Sequence, residues 1–219
     1  AGVMVCPFGK TADGIEMQFG TNHIGHFLLT NLLMPAILAG ANPRIVNLSS
    51  AGHTHSDVNL DDPNFEKSEY NAWESYGRSK SANIHFTQEI VRRYGDRIQS
   101  FAVHPGVIMT ELGRHLTPEL MNEMTERVKS RATSSSEAKE TGALPFKSVE
   151  AGAATQVWAS VTEDLSENNG AYLGDCQVGV EGGNPSESGY LPYIFNKDTA
   201  EALWSLSEKL VKQEFPQLT

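Results

Sequence analysis

Arg44-Ile45-Val46-Asn47-Leu48-Ser49-Ser50 is the stretch on which the reading of this chain turns. It is β-branched and apolar, with Gly40-Ala41-Asn42-Pro43 before it and polar, turn-rich sequence after it, as a strand requires. Upstream, Phe19, Ile24, Phe27, Leu28, Leu32 and Leu33 recur at helical spacing between Met17 and Leu38. Before that, Ala1 to Val5 reads as a short buried strand, closed by Cys6-Pro7-Phe8-Gly9. Downstream, a helix carries Ala82, Ile84, Phe86, Ile90 and Val91 to Tyr94, and Gln99 to His104 forms a strand stopped by Pro105-Gly106. Ser148 caps a helix to Ala159, Ala171 to Leu173 is a short strand, and Ala200 to Lys212 is an amphipathic helix. Strand and helix alternate, which predicts an α/β fold: a doubly wound parallel sheet with helices on both faces. Ligands of such sheets sit beyond the carboxyl ends of the strands, where Ser50 and Pro105-Gly106 fall.

The 219 residues suit one domain, 1–219, and 39% hydrophobic with 20% charged residues is ordinary for a globular chain. A net charge of −10 without any Lys/Arg cluster excludes a nucleic-acid partner. Cys6 and Cys176 make neither a disulfide framework nor a metal set, so no metal is expected, and a reducing, cytoplasmic location is. No apolar run reaches the roughly 18 residues of a membrane span, and no signal peptide is visible. Residues 51–74 form a long polar excursion. Residues 111–147 lose periodicity and contain Thr133-Ser134-Ser135-Ser136, which reads as a mobile substrate loop.

Tyr76-Gly77-Arg78-Ser79-Lys80 places a tyrosine and a lysine one helical turn apart on one face. An ammonium near a phenol lowers its pKa from about 10, so the phenol can exchange a proton with an alcohol or carbonyl. Alone the pattern is common, and two solvated helix positions are the plainer reading. Its weight comes from converging on the same cleft as Ser50 and Pro105-Gly106. Other groups stay open. His53, His55 and Asp57 suggest a metal site, against which a polar loop is favoured. His23 and His26 suit packing or surface roles. Phe65, Tyr70 and Trp73 either line a substrate mouth or pin the long loop; Met109, Met121 and Met124 suit a plain helix core or an adaptable apolar pocket.

With those residues in hand, the chain resembles a short-chain dehydrogenase/reductase, on the retinol-dehydrogenase-like side of the superfamily. Ala1-Gly2 looks like the end of the family's Asn-Asn-Ala-Gly motif, and Asn22 in Thr21-Asn22-His23-Ile24-Gly25-His26-Phe27 matches its helix asparagine. Ser50 matches the strand-end serine, Tyr76 and Lys80 the tyrosine–lysine pair, and His104-Pro105-Gly106-Val107-Ile108-Met109-Thr110 the proline-glycine turn. The separation of 26 positions from Ser50 to Tyr76 exceeds the simplest family spacing and resembles the longer loop of retinol-dehydrogenase-like relatives.

The resemblance implies a Rossmann-like fold and an NAD(P)-dependent oxidoreductase, with NADP as cofactor and NAD not excluded. Tyr76 would exchange the proton, Ser50 bond the substrate oxygen, Lys80 tune the phenol and hold ribose hydroxyls, and Asn22 anchor a proton-relay water. Asn22, Tyr76, Lys80, Pro105, Gly106, Val107, Ile108 and Thr110 are the expected cofactor contacts. The substrate would be a small hydrophobic alcohol, aldehyde or ketone, and the protein a homo-oligomer. An epimerase or dehydratase of the extended branch and a catalytically impaired binding or scaffold protein are the alternatives. The family's Thr-Gly-x-x-x-Gly-x-Gly turn is not in the sequence. The chain is therefore expected to be a C-terminal portion lacking N-terminal strands, about 80 to 100 residues, and to bind cofactor poorly by itself.

Overall fold

The computed structural model describes residues 1–131, 146–163 and 165–218, without side chains at 127–131. Along the chain come α1 (Met17–Phe19), a π-helical turn (Gly20–Ile24), α2 (Gly25–Leu38), β1 (Arg44–Leu48) and a 3-10 turn (Ala51–His55). α3 (Ala72–Tyr94), β2 (Gln99–His104), β3 (Val107–Ile108) and α4 (Pro118–Arg131) follow. Then come β4 (Phe146–Lys147), α5 (Val149–Val161), β5 (Tyr172–Gly174), β6 (Gln177–Val178), β7 (Val180–Glu181), β8 (Gly189–Tyr190) and α6 (Lys197–Val211).

The central sheet runs β1-β2-β5-β6. The first three strands are parallel, and β6 closes the edge antiparallel. Successive residues of a strand point to opposite faces, and β2 shows both faces covered. Phe101 and Val103 pack with Leu173 against Ala159 of α5, while Ala102 packs with Tyr172 against Ile84 of α3. On the α3 side, Phe27 and Met34 of α2, Phe86, Ile90 and Tyr94 of α3, and Trp204 of α6 form the main core cluster. The doubly wound arrangement expected from the alternation is present.

Three features depart from the sequence reading, and a fourth refines it. Ala1 to Val5 is not a strand. Val5 sits at φ 45°, a left-handed conformation that no strand continues through, and side chains rather than a neighbouring strand hold the segment. Asn22 bonds both the N–H and the carbonyl of Val3, and Gln18 Oε1 accepts from Val5 N–H at 2.8 Å. Val3 and Val5 are buried, so no apolar edge is left open there. Leu32 and Leu33 are exposed, because α2 is apolar on nearly every side and its spacing does not select the buried stripe, which is Phe27, Asn31 and Met34.

The segment 111–147, expected as a loop, contains α4 among its described residues; Thr133 to Ser136 lie outside them. Thr117 Oγ1 accepts from Leu120 N–H at 3.3 Å, and Pro118 opens the first turn. That Thr-Pro start, with Leu120, Met121 and Met124 on one side, is the signal that could have revealed the helix. Finally, residues 51–74 are well anchored. The Asp62 carboxylate collects Glu66 N–H, Lys67 N–H, Ser68 N–H and the Ser68 hydroxyl, and Arg78 reaches the Asp62 carbonyl at 2.9 Å.

Candidate active site

β1 delivers Ser50 just past its last ladder residue, and the first turns of α3 deliver Tyr76 and Lys80 opposite it. Asn71 caps α3 by accepting Glu74 N–H at 2.9 Å. Ser50, Tyr76, Lys80, Pro105, Gly106, Val107, Ile108 and Thr110 all line one cavity of about 550 Å³. Asn22 does not line it. Ser49, next to Ser50, also lines the cavity, but its hydroxyl donates to the Lys80 carbonyl at 2.9 Å, so the two serines have different work. Ser50 Oγ accepts Gly52 N–H at 3.0 Å and lies close enough to the Tyr76 phenol to influence its ionisation. Gly52 is required by this approach, since a Cβ there would lie 2.6 Å from the Tyr76 ring.

The phenol and the ammonium are both withdrawn from water. Tyr76 is 4% exposed and Lys80 7%. Burial pushes the Tyr76 phenol up to about 12, with the Ser50 hydroxyl pulling the other way. Burial pushes the Lys80 ammonium down to about 8. The expected lowering of the phenol by its cationic neighbour is therefore reversed. The ammonium lies 5.6 Å from the centroid of the Tyr76 ring, and its attraction for a phenolate is outweighed by the loss of hydration. Lys80 Nζ donates to Leu48 O at 3.2 Å.

Asn22 lies in the π-helical turn, which interrupts the regular helix there. Its carboxamide donates to Val3 O at 2.8 Å and Ser79 Oγ at 2.9 Å, and its carbonyl accepts from Asn83 Nδ2 at 3.0 Å. Gly106 takes φ 90°, and a Cβ there would lie 2.7 Å from the Lys147 side chain. Thr110 turns its hydroxyl back to accept Leu112 N–H at 3.3 Å.

The open groups also separate. Trp73, Met109, Met121 and Met124 line the cavity, whereas Phe65 and Tyr70 pack together 5.1 Å apart, with Arg78 over Phe65, and pin the loop. Asp57 pairs with His85 Nε2 at 2.7 Å, and no cluster of potential metal ligands occurs among the described residues. His23 is a core histidine, with Nε2 3.0 Å from Ser207 Oγ. Sequence reading missed the apolar wall contributed by Leu112, Leu116 and Phe146, which come from segments of no clear periodicity. No helix of the described residues is long and apolar enough to cross a membrane.

Comparison with known proteins agrees with this geometry. A family model described as short chain dehydrogenase matches residues 1–120. The chain is 39% identical over 212 residues to "Retinol dehydrogenase 14" of Homo sapiens, covering 96% of this chain and 56% of that protein. It is 39% identical over 220 residues to "Short-chain dehydrogenase/reductase prx1" of Penicillium roqueforti, covering 96% and 60%. A crystal structure of an uncharacterized protein from Mycobacterium paratuberculosis superposes with a TM-score of 0.69 at 31% identity, covering 99% of this chain and 66% of that one. The chain thus spans a little over half the length of the curated relatives it matches. With the parallel sheet, the Ser50–Tyr76–Lys80 cluster and the proline-glycine turn in place, the chain belongs to the short-chain dehydrogenase family, on its retinol-dehydrogenase-like branch.

Proposed function

We propose that this chain carries the proton-transfer part of an NAD(P)-dependent oxidoreductase acting on a hydrophobic alcohol or carbonyl compound. The observation that carries the reading is the seating of the Tyr76 phenol and the Ser50 hydroxyl together on the wall of a mainly apolar cavity, with Lys80 beside them. Leu116, Met121, Met124, Trp73 and Phe146 give that cavity an apolar lining suited to a hydrocarbon body. Retinol, which gives the similar human protein its name, is one compound of this class.

The residues present fit the nicotinamide end of such a cofactor. An ammonium has three donors, and Lys80 directs one to Leu48 O, which leaves donors for ribose hydroxyls at the cavity wall. The Pro105 to Ile108 backbone and Thr110 line the same space and would hold the nicotinamide and the adjoining phosphate. Bound there, the cofactor supplies or accepts the hydride. Tyr76, held protonated by burial, gives its proton to the substrate oxygen in reduction and takes it back in oxidation. Ser50 accepts from Gly52 and sits beside the Tyr76 phenol, where its O–H would donate to the oxygen on which charge develops. Lys80 stabilises the phenolate left behind, and Asn22 holds the π turn against Ser79, the residue next to Lys80.

The test is turnover of the complete protein with NADPH, and separately NADH, against a panel containing retinal, aliphatic aldehydes and ketones. Tyr76→Phe is expected to cost on the order of 10² to 10⁴ in kcat. Unchanged turnover in that variant removes Tyr76 from the mechanism. Absence of turnover in the unaltered protein, with cofactor still bound in calorimetry, favours the catalytically impaired binding protein instead.

A further inference from the structure

His104 takes no part in the proton transfer described above, yet it lies where two pieces of the site meet. It ends β2 on the face turned toward α3 and is 2% exposed. The parallel ladder between β1 and β2 reaches one rung beyond Leu48, where Ser49 N–H donates to Val103 O at 2.8 Å. The next rung needs an N–H from residue 105, and Pro105 has none. From there the two chains part, one into the Ser50 turn and the other into the proline-glycine turn. The His104 ring spans the gap: its Nδ1 accepts Ala51 N–H at 3.2 Å and Gly106 N–H at 3.4 Å. Backbone amides only donate, so Nδ1 bears the lone pair and the ring proton is on Nε2.

Resting on the roles given to Ser50 and the proline-glycine turn above, we propose that neutral His104 is a positioning residue, whose one acceptor atom sets the separation between the Ser50 hydroxyl and the Pro105-Gly106 turn. Substrate oxygen and nicotinamide must meet within a few tenths of an ångström of a productive geometry, and these are the two walls between which they meet. The surroundings keep the ring neutral. Burial, then His53 and Lys147, push its pKa down to about 4, against the opposing pull of Asp175 and the Ser186 backbone.

Two variants and two readouts decide the matter. In His104→Asn the carboxamide oxygen takes the acceptor position; in His104→Leu a side chain of similar bulk offers none. Amide hydrogen exchange at Ala51 and Gly106 needs no activity. His104→Leu is expected to accelerate it roughly tenfold or more while Phe101 and Val103 stay protected, and to lower kcat by a similar factor. His104→Asn is expected to keep both within about threefold of the unaltered protein. Unchanged exchange in His104→Leu, or equal losses in both variants, overturns the proposal. If the unaltered protein shows no turnover, the functional reading falls while the exchange result still decides the role of His104. Where His104→Leu does not fold, the ring nitrogens of the unaltered protein decide: ¹⁵N shifts showing a protonated Nδ1 at neutral pH overturn the proposal, and an unprotonated one supports it.

Discussion

α3 buries polar side chains toward two different neighbourhoods, and they are treated differently. Around Asn83 the polar groups are matched. Its carboxamide donates to Asn22 O at 3.0 Å and Leu48 O at 2.9 Å, tying the π-helical turn to the end of β1. His23, beside it, reaches Ser207 Oγ at 3.0 Å, and burial pushes its pKa down to about 3. One turn toward the N-terminus of the same helix, Lys80 and Tyr76 are equally withdrawn from water but face a cavity with donors to spare. The first arrangement lowers the free energy of the fold, since its buried polar groups are satisfied. The second holds a charged group in an apolar place at a cost. A buried polar group that is satisfied is explained by the fold, whereas one left facing a cavity calls for a ligand.

The contrast breaks most sharply at Lys80. Lys80→Met is expected to reduce turnover to background while raising the stability of the fold by about 1 kcal/mol or more, because it removes a desolvated cation. Turnover assays and urea unfolding read the two effects, and a destabilised Lys80→Met protein would show that the ammonium is a structural group. In the unaltered protein the reductive rate is expected to hold below about pH 8 and to fall above it, as Lys80 loses its charge.

His23 is the converse. His23→Leu leaves the Asn83 and Ser207 polar atoms short of a partner and is expected to cost about 1 to 3 kcal/mol of stability, with turnover per folded molecule kept. A loss of turnover larger than the loss of folded protein would place His23 in the chemistry. The smallest effect is acid sensitivity. His23 and His104 have folded pKa values of about 3 and about 4, below the ordinary histidine value of 6.5. The unfolded chain therefore binds more protons. The contribution of these two histidines is present above the ordinary value of 6.5 and is lost as pH falls, down to about 4 for His104 and about 3 for His23. Between pH 7 and pH 6 the loss is on the order of 1 kcal/mol for the pair. Unfolding free energies at the two pH values check it, and His23→Leu should flatten the slope by about half.

Periodicity located α2, β1, α3, β2, α5 and α6 because each is long enough, or apolar enough, to show its repeat. It failed at Ala1 to Val5, where a run of apolar residues looks like a strand but side chains of Asn22 and Gln18 take its backbone groups. It failed again at α4, whose cap at Thr117 and Pro118 is local while the surrounding composition is polar. Ser50 stands at the far end of its strand, and the geometry commits the hydroxyl of the adjacent Ser49 to the Lys80 carbonyl. His104 belongs to the proline-glycine motif, yet nothing in a single residue type announces that its ring will join the amides of Ala51 and Gly106 from two separate turns.

The sequence by itself determined which residue types reach the carboxyl ends of the strands. The order of strand and helix, the one-turn spacing of Tyr76 and Lys80, and the proline that stops β2 are local properties, written in the repeat of the chain. Only the tertiary structure decided their chemical state. A cation near a phenol lowers its pKa in water, yet here both groups lie between α3 and the end of β1, and burial drives the phenol up and the ammonium down. Desolvation depends on everything packed around a group, including α4, Trp73 and the segment at Val5, which cluster against Tyr76 from distant parts of the chain. No spacing along the sequence carries that sum.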